Sequence, residues 1–344
     1  MSQKNIAIVG GGILGCLIAR EIMHNNPDCQ LTVIDGGLVG TGASQFSAGV
    51  HFPVGRSERV RQLSLFSEHY YTQAKILQPE LPIYPVNFQV AFPIDARKEF
   101  IVRCQRLTPL VINEVSPLLA DVGRKYDFWQ LMDCHFTDVY MLIQRWFRDL
   151  QHQAQILEYT RVEKIEEKDG KVHLGLSLRG VTAFDKVILA PGPWVNAEPF
   201  RRFLSDLRLR TKRVIALHCV GLASETPAIF LPSEDIFLVP FSHRGHALLS
   251  YTCDEWNVNP DVVRQQSITS EELVKVQQLL NASLPKLSAT VQSGRMFCDA
   301  YSEDYEPVVR TVGESGNIVF AGACNGSGYR LAPGIAQEVT QLIF

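Results

Sequence analysis

The sequence predicts an α/β fold, and its first 35 residues carry three observations that predict it. Residues 6–9 form a short apolar run rich in β-branched side chains, which is typical of a buried parallel strand. Residues 10–15 follow with glycines at the Gly-x-Gly-x-x-Gly spacing, and a second apolar run at residues 31–34 ends in Asp35. A strand, a glycine turn, a helix and a second strand in this order predict a Rossmann-type βαβ unit.

Each glycine of this turn has a physical role in such a unit. Gly10 permits the tight turn, Gly12 allows a pyrophosphate to approach the backbone, and Gly15 allows the helix to pack closely on the strand. The first N–H groups of the helix then face the phosphate, and the Asp35 carboxylate can accept hydrogen bonds from ribose hydroxyls. NAD and FAD are both compatible with this unit. The predicted cofactor-binding residues here are Gly10, Gly12, Ile13, Leu14, Asp35 and Gly36.

The composition indicates an ordinary globular protein and argues against several classes of partner. With 344 residues, 46% of them apolar and 20% charged, the chain is long enough for two domains. Its net charge of −3 gives no general attraction to nucleic acid, and no apolar run approaches the length of a membrane span. The eight cysteines lack any Cys-x-x-Cys pair, so we expect reduced thiols and a cytoplasmic location. We expect no metal site, and the oligomeric state stays open.

A segment rich in small residues follows the βαβ unit. Residues 40–44 read Gly-Thr-Gly-Ala-Ser, and residues 48–49 read Ala-Gly. This pattern behind a Rossmann unit resembles the D-amino-acid-oxidase-like superfamily of FAD enzymes, nearest its glycine and sarcosine oxidase branch. The resemblance implies that the segment runs along the FAD phosphates and the isoalloxazine ring, with contacts from Gly42, Ala43, Ser44, Ser47, Ala48 and Gly49. His51, close behind them, is a candidate catalytic residue.

Later signatures of the same superfamily favour FAD over NAD. Residues 190–194 read Ala-Pro-Gly-Pro-Trp after an apolar strand and resemble the family's second nucleotide signature. Residues 326–334 resemble its C-terminal motif, in which a helix N-terminus faces the N1–C2=O edge of the flavin and stabilises negative charge there. Residues 159–162 match the segment whose valine backbone contacts adenine. The cofactor contacts implied by these matches are Val162, Ala190, Gly192, Trp194, Gly326, Gly328, Tyr329, Arg330 and Leu331.

The resemblance also implies candidates for binding the substrate. In the sarcosine oxidase branch an arginine of an Arg-x-x-Arg pattern binds the substrate carboxylate, and its match here is Arg59, with Arg61 as the alternative. Arg330 stands where that branch has a lysine in contact with the same carboxylate. The planar fork of an arginine suits a carboxylate, although a structural ion pair with Asp299 or Asp304 is the alternative for Arg330.

Three departures from the family pattern bear on the mechanism. Asp299 occupies the position of the arginine that clamps a carboxylate in glycine oxidases, and we retain it as a catalytic candidate. Phe297 occupies the position of the cysteine that links FAD covalently in sarcosine oxidases, with Cys298 one residue away, so we expect non-covalent FAD. The lysine associated with O2 activation has no counterpart, because no lysine lies between Arg213 and Lys275.

The remaining patterns predict a second domain made mainly of strands. The β-rich runs expected in its antiparallel sheet are residues 82–94, 211–217, 229–240 and 247–251. Helical periods appear at residues 57–77, where Ser57 is the expected N-cap, and at residues 100–119 and 137–151. The predicted fold is therefore α/β, a glutathione-reductase-like Rossmann-type domain for FAD with an antiparallel β-sheet substrate domain.

The domain division follows from the order of these patterns. The FAD-binding domain is predicted to be discontinuous, over residues 1–80, 135–210 and 300–344. The substrate domain is predicted over residues 81–134 and 211–299. Such a chain would bring its N-terminal and C-terminal segments together around one cofactor.

The resemblance implies an FAD-dependent oxidoreductase that oxidises the C–N bond of a small amine or amino acid to an imine. O2 is the expected electron acceptor, giving H2O2. An amine dehydrogenase with another acceptor is the first alternative, and the missing lysine permits it. The flavin component of a tRNA-modifying enzyme is the second, disfavoured by the net charge of −3. A flavin-dependent binding or assembly protein without turnover is the third.

Overall fold

The computed structural model describes residues 3–104, 106–119, 122, 126–222 and 225–344. The strands are β1 (Asn5–Val9), β2 (Gln30–Ile34), β3 (Val50–His51), β4 (Ile83–Pro93), β5 (Leu107–Pro109), β6 (Tyr126–Thr137), β7 (Ala154–Leu157), β8 (Val162–Lys168), β9 (Lys171–Leu176), β10 (Gly180–Phe184), β11 (Lys186–Leu189), β12 (Arg210–Cys219), β13 (Ala228–Leu231), β14 (Ile236–Phe241), β15 (His246–Trp256), β16 (Val291–Tyr301), β17 (Val308–Val312) and β18 (Ile318–Gly322). The helices are α1 (Ile13–Asn25), α2 (Ala43–Phe46), α3 (Glu58–Leu77), α4 (Arg97–Arg103), α5 (Val139–Leu150), α6 (Glu198–Leu204), α7 (Pro260–Val263), α8 (Ser270–Ser283), α9 (Pro285–Ser288) and α10 (Gly328–Ile343).

Within these described ranges the strands form three sheets. The parallel sheet has the order β17-β18-β11-β1-β2-β7, in which the edge strand β17 alone runs antiparallel to its neighbour. The small sheet has the order β10-β9-β8. The large sheet has the order β16-β12-β15-β14-β13-β4-β6-β3, with β5 paired to β6. Its pairings are antiparallel except for the parallel pair of β13 with β4.

The parallel sheet is buried on both faces. Ile6 and Ile8 of β1 join a cluster with α1, α5 and α10, whereas Ala7 and Val9 join a second cluster that includes residues of the small sheet. A strand covered on both sides needs apolar side chains at every position. This explains why residues 6–9 form a continuous apolar run instead of an alternating one.

The large sheet also separates two apolar clusters, and alternation along β16 assigns its residues to them. Phe297 points into a cluster with the aromatic side chains of β4 and with residues of the loop before β3. Met296 and Cys298 point to the opposite face, where they meet α8 and α9. The face that carries Phe297 is therefore the one turned toward residues 46–54.

The structure confirms the predicted fold class and most of the predicted elements. Helix α3 begins after Ser57, whose Oγ accepts a hydrogen bond from the Val60 N–H. The helix predicted over residues 100–119 is wrong, because α4 ends at Arg103 and residues 107–109 form β5 beside β6. Pairing with a long neighbouring strand outweighs the local helical period in this segment.

The predicted domain boundaries stay a prediction. Strand β6 runs through the predicted boundary between residues 134 and 135, and β16 runs through the one between residues 299 and 300. Strand β3 lies in the predicted FAD-binding segment but pairs with β6 of the large sheet. Among the helices of the described ranges, none has the length and apolar character needed to cross a membrane.

Candidate active site

The turn between β1 and α1 leaves no room for side chains. Gly10 has φ +113°, and a Cβ there would lie 2.1 Å from the Ala190 carbonyl oxygen. A Cβ at Gly15 would lie 1.9 Å from the Gly10 carbonyl oxygen, so the helix and the strand meet backbone to backbone. Ser44 lies beside this turn, and its Oγ accepts a hydrogen bond from the Ile13 N–H at 3.0 Å. The turn and the small-residue segment therefore meet at the start of α1.

Asp35 lies at the end of β2, in the crevice beside the glycine turn. Its carboxylate accepts hydrogen bonds from the Gly11 N–H at 2.7 Å and from the Gly37 N–H at 2.8 Å. Burial raises the pKa of Asp35, and these two backbone donors oppose the increase. The Thr160 N–H donates to the Asp35 carbonyl at 2.8 Å, which brings the start of β8 and its first residue, Val162, beside the same crevice.

The segment predicted to follow the flavin is fixed at several points. A Cβ at Gly42 would lie 3.3 Å from the Trp194 ring, and one at Gly49, which has φ +58°, would lie 2.1 Å from the Thr137 carbonyl oxygen. Ser47 Oγ accepts a hydrogen bond from the Gly49 N–H at 3.0 Å. Gly42 and Trp194 meet because the loop after β11 crosses this segment. Ala43 and Ala48 pack partly buried on the cluster that contains Phe297.

The C-terminal motif lies beside the start of α1. Gly326 has φ +76°, and α10 then begins at Gly328, whose Cβ would lie 4.0 Å from the Ile13 side chain. The starts of α1 and α10 are thus neighbours. Tyr329 is buried, and its hydroxyl hydrogen-bonds with Thr137 and His135. Leu331 is buried in the core that α10 shares with α1.

Together these groups form a cradle that fits a dinucleotide. Side chains at Gly10, Gly12 and Gly42 would press on the Ala190 carbonyl, the Ser44 hydroxyl and the Trp194 ring, so these segments can lie close together only because the three residues are glycines. A carboxylate that can accept from ribose stands at the end of the crevice. Within the described residues, no three His, Cys, Asp or Glu side chains are grouped as a metal site requires.

Arg330 is a partly buried cation that donates to two neutral acceptors. Its Nη1 donates to the Val54 carbonyl at 2.8 Å, its Nη2 donates to Ser327 Oγ at 2.7 Å, and its guanidinium lies 4.9 Å from the centre of the Phe52 ring. Burial lowers the pKa of Arg330 to about 10, so it remains charged at neutral pH. The predicted alternative, an ion pair with Asp299 or Asp304, is not among the ion pairs of the described residues.

Arg59 does not have the free donors that its predicted role requires. Its Nε and Nη2 donate to the two carboxylate oxygens of Glu338, and its Nη1 donates to the Pro307 carbonyl at 2.6 Å. Glu306 lies 3.6 Å from Nη1, and the side chain is 38% exposed. This bidentate pair neutralises the charge of Arg59, so the arrangement does not favour its predicted contact with a substrate carboxylate, which stays a prediction. Arg61 likewise pairs with Glu58.

His51 is buried and uncharged. Its Nε2 lies 2.9 Å from the Ser64 carbonyl, which assigns the proton to Nε2, and its ring stacks on His135 with centroids 4.8 Å apart. Burial lowers the pKa of His51 to about 3. A group with so low a pKa is a poor general base at neutral pH, so this arrangement does not favour the predicted catalytic role.

Asp299 lies beside the C-terminal motif. It projects from β16, and a Cβ at Gly326 would lie 3.9 Å from its Oδ2. Burial raises the pKa of Asp299 to about 6, whereas an ordinary aspartate titrates near 4. The folded protein thus binds this proton more tightly than the unfolded chain. The free energy of unfolding should fall as the pH rises from about 4 to about 6 and stay lower above that range.

We therefore expect Asp299→Asn to be more stable than the wild type by about 1–2 kcal/mol at about pH 7.5, since the variant removes a buried charge that keeps partial contact with solvent. The difference should disappear at about pH 4. Urea unfolding of the flavin-free protein at both pH values measures it. Asp254→Asn, at an exposed position of the large sheet, is the matched control and should change little. A difference that does not depend on pH would contradict the assignment.

Sequence reasoning missed one group of side chains near the predicted flavin segment. Arg295 lies on the same face of β16 as Phe297, and its Nη2 donates to the Ser47 carbonyl at 3.3 Å. His218 of β12 and His246 of β15 lie nearby. The alternation of side chains along β16 could have indicated this group, because it places Arg295, Phe297 and Asp299 on one face of the strand.

Comparisons with known proteins agree with this geometry. Solved structures of similar fold include glycine oxidase from Geobacillus kaustophilus (17% identity, TM-score 0.81, covering 100% of this chain and 95% of that one). They also include L-alpha-glycerophosphate oxidase from Mycoplasma pneumoniae with FAD bound (16%, 0.85, 100% and 95%) and L-proline dehydrogenase from P. horikoshii (15%, 0.80, 99% and 93%). The search of curated proteins found no match.

Structural similarity at these identities establishes the fold alone. The family comparison goes further, because residues 5–342 match the family of FAD-dependent oxidoreductases designated DAO. The predicted superfamily, fold class and cofactor are thereby confirmed. The chain belongs to the DAO family of FAD-dependent oxidoreductases, and FAD is its cofactor.

Proposed function

We propose that this enzyme oxidises the C–N bond of a small amine or amino acid that carries an anionic group. The observation that carries the proposal is Arg330, a partly buried guanidinium within the C-terminal motif that has two neutral hydrogen-bond acceptors. A buried cation is stabilised when an anion approaches it, and a planar guanidinium suits a carboxylate. The glycine oxidase and the proline dehydrogenase of similar fold are named for substrates that contain both an amine and a carboxylate.

In this proposal the chain supplies positioning, water exclusion and charge. FAD, when bound, supplies the group that accepts a hydride from the carbon next to the amine. Arg330 orients the substrate through its anionic group, and the ring of Phe52 covers the guanidinium on one side. The apolar face that includes Phe297 excludes water from the reacting carbon. Above about pH 6 the Asp299 carboxylate is ionised and can accept a proton at Oδ2.

Anaerobic bleaching of the flavin tests the reaction class. The enzyme is mixed with a panel of primary and secondary amines, each with and without a carboxylate, and the loss of flavin absorbance is followed. We expect bleaching by carboxylated amines alone. If no amine bleaches the flavin, the proposal fails. The hypothesis of a flavin-dependent binding or assembly protein without turnover then gains support. Glycerol 3-phosphate belongs in the panel, because one similar structure is a glycerophosphate oxidase.

We further propose O2 as the electron acceptor. H2O2 release during turnover with the best amine tests this part separately from the bleaching experiment. If the reduced flavin reacts with a quinone or dye but not with O2, the enzyme is a dehydrogenase, which the absence of a lysine between Arg213 and Lys275 allows. A cytoplasmic location is proposed from the eight free thiols.

FAD should be bound non-covalently. Phe297 stacks on Phe46 at 6.0 Å between ring centroids on the face turned to the flavin segment, whereas Cys298 is buried in the cluster on the other face. Burial also raises the pKa of the Cys298 thiol to about 12, which disfavours the thiolate. Acid or heat should therefore release all the flavin into the supernatant. Flavin fluorescence that stays on the denatured wild-type chain and is lost in Cys298→Ser would contradict this expectation.

A further inference from the structure

A cluster of three basic side chains lies on the large sheet, apart from Arg330. It consists of Arg295 on β16, His218 on β12 and His246 on β15. The rings of His218 and His246 have centroids 4.5 Å apart. Arg295 pairs in register with Ala216, two residues from His218 along β12 and on the same face. Three side chains that can each carry a positive charge thus converge from three neighbouring strands.

Each member has a buried nitrogen without a hydrogen-bond partner among the described residues. These atoms are Arg295 Nε, His218 Nε2 and His246 Nε2. The opposite nitrogen of each imidazole is used, since His218 Nδ1 lies 3.1 Å from Ser293 Oγ and His246 Nδ1 lies 3.1 Å from the Arg244 carbonyl. Buried polar atoms in native proteins are nearly always paired, so three orphaned positions in one cluster require an explanation.

The part of the chain that the structure describes gives Arg295 no ion pair of its own. The nearby carboxylate is Asp138, but it accepts hydrogen bonds from Arg244 and from the Met141 N–H, and His243 lies 3.5 Å from it. The ion pairs of the described residues include none for Arg295. Burial and, to a smaller extent, the charge of Arg244 lower the pKa of Arg295 to about 10. A buried cation beside two imidazoles lacks the anion that would stabilise it.

The geometry points to an oxyanion-binding subsite formed by Arg295, His218 and His246. The oxygens of a phosphate or carboxylate can accept from the Arg295 Nε–H and from each imidazole whose Nε2 carries a proton, and the charge of the ion balances the guanidinium. Water can fill hydrogen-bonding positions but supplies no charge. The ligand class is therefore a small oxyanion, either as a free ion or as an anionic group of a larger molecule. This inference goes beyond the proposed function, because ion binding requires no amine and no turnover.

The tautomer of His246 makes binding depend on pH. Its Nδ1 donates to the Arg244 carbonyl, so the neutral ring presents a lone pair at Nε2, and an oxyanion binds there only after that nitrogen is protonated. Burial lowers the pKa of His246, and it lowers the pKa of His218 to about 4. The charged groups that face this pair are Arg295, Arg244, His243 and Asp138. Binding should take up protons and strengthen as the pH falls through and below the ordinary histidine value of 6.5.

Calorimetric titration of the FAD-loaded enzyme with inorganic phosphate, and separately with acetate, tests the subsite. We expect saturable binding of one ion that weakens at least tenfold in Arg295→Gln and in His218→Gln. Proton uptake is measured by repeating the titration in buffers of different ionisation enthalpy. Arg201→Gln, which alters an exposed arginine on α6, should bind as the wild type does. FAD content and near-UV circular dichroism verify that each variant is folded, and Arg295→Lys should retain part of the affinity.

Arg330→Leu separates this subsite from the proposed substrate contact. If the inference holds, this variant keeps the ion binding that Arg295→Gln loses, whatever its effect on turnover. No saturable binding in the wild type, or binding that depends on Arg330 and not on Arg295, would overturn the inference and leave the amine proposal untouched. Conversely, ion binding that depends on Arg295 would stand even if no amine bleaches the flavin.

A second measurement identifies the source of the oxyanion. An amine substrate with a distal carboxylate or phosphate is compared with its analogue that lacks this group, in the wild type and in Arg295→Gln. A KM increase of at least tenfold in Arg295→Gln for the anionic amine alone identifies the group as part of the substrate. Equal KM changes for both amines, together with retained dependence of phosphate binding on Arg295, identify a free ion.

Discussion

Gly15→Ala should abolish stable FAD binding, with a loss of affinity of about a hundredfold or more. The added methyl would lie 1.9 Å from the Gly10 carbonyl oxygen, which is backbone and cannot rotate away. The start of α1 must then move off β1, and the cradle for the phosphates opens. Overpacking of this kind costs about 1–3 kcal/mol or more, and each 1.4 kcal/mol is tenfold in affinity. The FAD content of the purified protein and fluorescence titration of the flavin-free protein measure the effect.

Gly180→Ala is the matched control for this substitution. Gly180 has φ +74°, which strains an alanine, but a methyl there would meet no atom within 4 Å, and the turn lies in the small sheet. The control should therefore lose some stability and keep its FAD. If Gly15→Ala retains its far-UV circular dichroism and rebinds FAD as tightly as the control does, the glycine turn is not part of the cofactor site.

Arg330→Leu should lower kcat/KM for the anionic amine about ten- to hundredfold while FAD content stays normal. A charged hydrogen-bond partner contributes about 1.5–3 kcal/mol, which gives this range. The leucine fills a similar volume against Phe52, so the pocket should not collapse. Steady-state kinetics with the amine that bleaches the flavin, and with its uncharged analogue, measure the effect.

Two controls accompany this variant. Arg330→Lys retains the charge but loses the fork, so it should recover part of the activity. Arg61→Leu, which removes an arginine that pairs with Glu58 on α3, should leave kcat/KM unchanged. Equal turnover of the charged and uncharged amines, unaffected by Arg330→Leu, would remove Arg330 from the substrate site.

Local spacing made the cofactor half of the site predictable. The turn at Gly10 and the N-cap at Ser57 each follow from short motifs whose residues must occupy defined backbone positions. The fold class follows for the same reason, since the buried strand before the turn has to be apolar throughout. These features depend on neighbours in the sequence or on a shared ligand.

The substrate half depends on partners far apart in the sequence. Arg59 matches a substrate-binding pattern, yet its partner Glu338 lies 279 residues away. No sequence pattern near Arg59 predicts this ion pair. The cluster of Arg295, His218 and His246 assembles from three strands whose pairing is decided by the whole sheet. Residues 107–109 form a strand for the same reason. Their partner β6 is distant in the sequence, and the helical period of residues 100–119 does not reveal it.

The pairing of β3 with β6 anchors the end of the small-residue segment that precedes β3. Residues 45–49 are bounded by the Ser44 hydroxyl on the Ile13 N–H and by the Val50 pairing with Phe136. If a residue added or removed between these two anchors shifted the register of β3 by one, Val50 and His51 would exchange environments. We therefore expect a change of length here to disturb the site more than a substitution does.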